Sequence, residues 1–175
     1  MRVRAFLVWL FLAPAAMAQG FAGLGATADG FALPDPDRVL EFPADHGAHP
    51  GFRIEWWYLT ATLSGADGAE YGVQWTLFRT EIAPGQGEVL PWHKPELWMG
   101  HAALTTRDDH FVAETLARGG TGQAGVSLDR GFAAWIDDWQ MAGSPGADAL
   151  DALSLTARGG DFSYDLALVA EGPLV

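Results

Sequence analysis

Between Asp45 and Tyr58 the chain gathers the side chains best able to do chemistry: Asp45, His46, His49, Glu55, Trp56, Trp57 and Tyr58. Two histidines three residues apart with acids on either side would suit a metal ion if a regular element fixed the spacing. Gly47, Pro50 and Gly51 make this stretch a loop instead, so the spacing defines no common face and no metal is expected. Loop caps and backbone partners are the alternative roles for both imidazoles. Further along, Gln74, Arg79, His101, Asp137 and Asp138 interrupt apolar stretches. Buried polar groups of that kind must be paired or face a ligand. The chain has no G-x-S-x-G, no H-E-x-x-H, no P-loop and no G-x-G-x-x-G opening a helix. A retaining glycosidase needs two carboxylates about 5 Å apart. Asp137 and Asp138, adjacent on an expected strand, would point to opposite faces. One reaction suits the inventory, the addition of water to an isolated alkene. It needs a carboxylic acid kept protonated by an apolar site, and aromatic faces to steady a tertiary carbocation. Glu55, Asp137 and His101 are the candidate catalytic groups. The same tryptophan-rich walls would equally hold an isoprenoid or a lipid tail without reacting it.

The elements that must position these groups read as short strands. Phe52–Leu63 and Glu70–Ile82 flank a hairpin turn at Asp67-Gly68. Leu97–Thr106 and His110–Arg118 flank another turn, a Gly-rich loop follows over Gly119–Gly131, and Phe132–Met141, Ala149–Ala157 and Asp161–Val169 complete the set. Seven short strands with turn signals between them, and no helical period, indicate an all-β antiparallel meander, barrel or sandwich. On the first strand Trp56 and Tyr58 oppose Glu55 and Trp57; on the second, Trp75 opposes Gln74; on the third, Trp98 opposes His101. Trp135, Asp137 and Trp139 are expected on one face. Large apolar and single polar residues on the same faces suit a barrel or cleft enclosing a ligand.

Composition narrows the function further. Among 175 residues, 22 acids against 10 bases give a net charge of −12, which repels phosphate backbones and makes a nucleic-acid partner improbable. The absence of cysteine excludes disulfides, thiolate catalysis and Cys-ligated zinc. Arg2 and Arg4, the apolar run Ala5–Ala16 and the small-x-small site Ala16-Met17-Ala18 read as a signal peptide cleaved after Ala18. Twelve residues of helix rise about 18 Å, short of a hydrocarbon core of about 30 Å, so no permanent membrane span is expected. Loss of the leader takes the net charge to −14. The expected organisation is a signal peptide over 1–18, a linker and extended lead-in over 19–50, and one β-domain over 51–175, in a periplasmic or secreted protein.

Four stretches carry a resemblance. Phe42–Leu63 (FPADHGAHPGFRIEWWYLTATL), Tyr71–Pro84, Leu97–Thr105 and Phe132–Gly143 resemble the family of acyclic carotenoid 1,2-hydratases and AttH-like secreted proteins. The resemblance implies a lipocalin-like β-barrel, the N-terminal one of a two-barrel architecture. It also implies a long apolar ligand and, in the complete protein, a hydro-lyase that uses no organic cofactor. The acid proposed for that chemistry lies in the half not represented here. His46, His49, Trp56, Trp57, Tyr58, Gln74, Trp75, Arg79, Trp98 and Trp139 are the positions expected to meet the ligand. A non-catalytic carrier of hydrophobic molecules and a secreted hydrolase are the alternatives, the latter with Glu55 or Asp137 as acid or base.

Overall fold

Side chains along the strands alternate between a packed face and an open one, and this alternation builds two antiparallel sheets. The computed structural model describes residues 29–84, 94–144 and 150–172; the leader expected over 1–18 lies outside them. Strands β1 (Ile54–Ser64), β2 (Glu70–Glu81), β3 (Glu96–Thr105) and β4 (His110–Arg118) pair in chain order as one sheet. Strands β5 (Ala124–Ser127), β6 (Ala133–Ile136), β7 (Trp139–Gly143), β8 (Ala152–Arg158) and β9 (Ser163–Val169) pair in chain order as a second. The chain is thus all-β and antiparallel. Among the described residues the pairing makes two open sheets around a shared core; it does not run continuously around a closed barrel. No helix among the described residues is long and apolar enough to cross a membrane.

Local chemistry explains the first hairpin. Gly68 takes φ +80 and Asp67 Oδ1 accepts the Ala69 N–H at 3.0 Å, so the turn closes where Asp-Gly signals it. Register then places Glu55 opposite Arg79, Trp57 opposite Leu77 and Leu59 opposite Trp75. These residues share the inner face with Trp98, Gly100 and Ala102 of β3. The second sheet answers with Ala134, Ile136, Trp139, Met141, Leu155 and Tyr164. Hydrogen bonds stitch the sheets together, two of them from buried aromatic residues. The Trp75 indole donates to the Thr156 carbonyl at 3.2 Å, and the Tyr164 hydroxyl donates to the Gln74 carbonyl at 2.7 Å. Gly100 is required by the close approach: a Cβ there would lie 2.8 Å from Ile136 Cγ2 and 3.2 Å from Trp139 Cε3.

The described residues form nine strands where the sequence pattern indicates seven. The Gly-rich loop expected over Gly119–Gly131 contains β5, which pairs with β6. Its composition hides it because Gly125 is there for contact, not for conformation. A Cβ at Gly125 would sit 2.8 Å from Trp135 Cζ2, so the bare backbone lets the indole lie across the strand. The single strand expected over Phe132–Met141 is a tight hairpin. Ile136 pairs with Trp139, and Asp137, at φ +53, is the first of the two turn residues. Asp tolerates that left-handed conformation better than most residues, and the turn chemistry overrides the strand pattern around it. Trp135, Asp137 and Trp139 therefore do not share a face: Trp139 is in the core, Trp135 is half-buried on the other side of the sheet, and Asp137 is exposed at the tip.

Candidate functional site

The lead-in segment meets the first sheet through a chain of charges. A single 3-10 turn, Ala44–His46, is closed by Gly47 donating to the Ala44 carbonyl at 3.0 Å. It presents Asp45 to the Arg38 guanidinium and to the Glu41 backbone N–H. Asp45 Oδ1 also faces His49 Nε2 at 2.9 Å, while His49 Nδ1 lies 2.8 Å from Glu55 Oε1. The His49 backbone N–H donates to both Glu55 oxygens, at 2.9 and 3.0 Å. On the next strand Arg79, 1% exposed, donates from Nε to Glu55 Oε2 at 3.0 Å. Its NH2 reaches the carbonyls of His49 and Phe52, each at 3.0 Å, and its NH1 reaches Glu96 at 3.4 Å, with Glu81 at 3.6 Å. Trp57 completes the attachment by donating to the His46 carbonyl at 3.0 Å.

A neutral imidazole has one N–H. Both ring nitrogens of His49 face carboxylate oxygens, so only the imidazolium satisfies the two contacts together. The Asp45 hydrogen bond, reinforced by Glu55 and opposed by partial burial, accordingly raises the His49 pKa above its ordinary value. The Glu41 N–H, with His49 and Arg38, holds the Asp45 carboxyl below its usual range. Every polar atom of this group that the register brings inward already has a protein partner. Such saturation suits a clamp better than a catalyst. Among the described residues no group of three or more His, Asp or Glu side chains is placed to hold a metal ion.

The three candidate catalytic groups are not brought together. Glu55 is in the clamp. Asp137 stands at the β6–β7 turn, where Thr115 Oγ1 donates to it at 2.7 Å and Gln123 Nε2 at 2.8 Å. His101 lies on the outer face of the first sheet, edge-on to Phe78 with centroids 5.4 Å apart and 3.6 Å from Glu114. The expected ligand contacts divide as well. Trp75, Trp98 and Trp139 are core residues; Trp57 stacks on Trp98 at 6.0 Å; Trp56, Tyr58 and Gln74 point outward. His46 stacks on Phe42 at 4.4 Å and meets the edge of Phe132.

Two clefts adjoin the clamp. One, of about 350 Å³, opens between His46, Gly47, Glu55 and Trp56. The other, also about 350 Å³, lies beside β5 and is lined by Trp98, Trp135, Ala124, Val126, Lys94 and Glu96. Trp135 is held by donating to the Gly122 carbonyl at 3.1 Å. The Trp98 indole N–H is buried with no hydrogen-bond acceptor among the described residues. A larger depression, about 1030 Å³, lies between the β1–β2 and β3–β4 turns, at the far end of the sheet from the clamp. Sequence reasoning misses Trp135, Glu96 and β5 as parts of the site. The adjacency of Gly125 and Trp135 depends on a strand pairing that local pattern does not announce.

The profile of the AttH-like family matches residues 33–175, and the chain belongs to that family. A crystal structure at 2.00 Å of a Nitrosomonas europaea protein, provisionally identified as an AttH, is similar to it, with a TM-score of 0.61 and 29% sequence identity. The similarity covers 82% of this chain and 41% of that one, so the chain spans about two fifths of this relative's length. No protein with a curated description matches the chain.

Proposed function

We propose that this chain is the ligand-holding β-unit of an exported AttH-like protein and binds a hydrophobic small molecule, isoprenoid or acyl, without transforming it. The cleft between Trp98 and Trp135 carries this reading. It is lined by aromatic, aliphatic and charged residues and has a volume of about 350 Å³, within the usual range of ligand pockets. The leader over residues 1–18 supports export, and the two sheets around one core support the lipocalin-like reading.

A carrier is favoured over a hydratase by where the acids lie. Alkene protonation needs a carboxylic acid caged in apolar surroundings. Glu55 is instead bonded to His49 and Arg79, and Asp137 is exposed and accepts two hydrogen bonds. Hydration by the complete protein would draw its acid from residues beyond these. The test is a fluorescence titration of the leader-free chain with a fatty acid and with lycopene. Saturable quenching is expected, weakened about tenfold (roughly 1.4 kcal/mol) by Trp135→Ala with the far-ultraviolet circular dichroism unchanged. Absence of saturable quenching by either probe sinks the proposal. Incorporation of heavy oxygen from labelled water into lycopene by this chain alone would replace it with the hydratase.

A further inference from the structure

We infer that the outer face of the first sheet is a self-association surface, on which a second copy of this chain packs face to face. An antiparallel sheet with one free side normally carries polar residues there. This one does not. Trp56, Phe78, Met99 and Leu116 lie in one row across all four strands. Trp56 is 54% exposed, Tyr58 62%, Leu116 59% and Val112 66%. Contiguous exposed apolar surface of this kind marks an interaction site.

The occupant follows from charge, size and symmetry. In a chain of net charge −12, two strongly acidic molecules approach with least repulsion through a face with few charges, and the central rows of this one carry only Glu114 and Arg118. Four strands about 4.8 Å apart and about ten residues long cover about 600 Å² in plan, near the roughly 800 Å² per partner of a stable interface. The face is divided into halves. β1 and β2 bring the aromatic residues Trp56, Tyr58 and Phe78; β3 and β4 bring the aliphatic Met99, Val112 and Leu116. A two-fold axis along the strands, between β2 and β3, lays the aromatic half of each copy on the aliphatic half of the other. Each row then meets itself reversed: Trp56 over the second copy's Leu116, Phe78 over its Met99, and the Tyr58 hydroxyl over its Glu114. This is the self-complementarity that a closed two-fold interface requires.

The experiment uses the leader-free chain at about 1 to 100 μM, the range in which such interfaces dissociate. Sedimentation velocity is expected to show a monomer–dimer equilibrium, weakened at least about tenfold by Leu116→Arg with the near-ultraviolet circular dichroism retained. The chain has no cysteine, so the double variant Thr60→Cys, Val112→Cys tests the operator directly. These two positions are three strands apart within one copy and adjacent between copies, and a covalent dimer under mild oxidation is expected. A monomer throughout the range, or a dimer indifferent to Leu116→Arg, overturns the inference. So does a monomer whose face resists hydroxyl-radical labelling, which would report a lipid or another protein segment lying on it.

Discussion

Arg79 shows how a buried charge can be held. Its guanidinium serves Glu55, two backbone carbonyls and Glu96, so removing it strips partners from three separate segments. Breaking such a pair from one side costs about 3–5 kcal/mol, because the remaining charge stays buried. Arg79→Met should lose stability of that order in urea unfolding. Arg79→Lys should recover only part of it, since an ammonium cannot reproduce the planar fork. A loss under about 1 kcal/mol for Arg79→Met would show that water replaces the guanidinium. His49 adds a pH dependence of known sign. Its folded pKa is raised, so its contribution is fully present below the ordinary imidazole value of about 6.5 and fades as pH rises through the folded one. Asp45, with its pKa lowered, contributes above the usual carboxylate value and is lost only as pH falls through the folded one. Wild-type protein should therefore lose more stability between about pH 6 and about pH 9 than His49→Gln does, as read from paired denaturation curves. Parallel curves would mean that His49 is not an imidazolium in the folded chain. The cluster itself was legible from residue types at Asp45, His49 and Glu55. The sequence left Arg79 free to face Glu55 or Asp137 as a buried ion pair; the register that sets Arg79 opposite Glu55 decides between them.

At the scale of elements, hairpins with a turn signature were readable, and strands held by tertiary pairing were not. Asp67-Gly68 marks β1–β2 because the φ > 0 requirement is local. The β6–β7 turn escaped because Ile136-Asp137-Asp138-Trp139 contains no glycine, and strong strand formers surround it. β5 escaped because half its reason for existing is the Trp135 ring packed on Gly125. The face assignments of β1 to β3 followed correctly from alternation, but alternation alone does not say which face is the core. Glu55 and Arg79 turned out to share it with the indoles. Gly100 offers a direct check on the contact between sheets. Gly100→Ala would force its new methyl against Ile136 and should cost about 1–3 kcal/mol by overpacking, measured as a fall in melting temperature. An unchanged melting temperature would mean that the sheets separate there at little cost. Asp137→Asn keeps hydrogen bonding at the tip and should leave ligand titrations unaltered; a lost titration would place Asp137 in the binding site after all.

At the largest scale the described residues make two sheets in which each strand pairs with its neighbours in sequence. That arrangement sets the order in which structure can form. No strand has to wait for a distant partner, so closing each hairpin costs only a short loop, and such topologies fold fast for β-proteins. The expensive step is docking one finished sheet on the other, which buries Trp75 and seats its indole on the Thr156 carbonyl. Trp75→Phe should then accelerate unfolding far more than it slows refolding in stopped-flow measurements, placing the indole's contacts late on the pathway. A chain assembled this way can present one sheet, with both of its greasy sides, before the other has arrived, and its hazard is meeting another half-built copy at that moment.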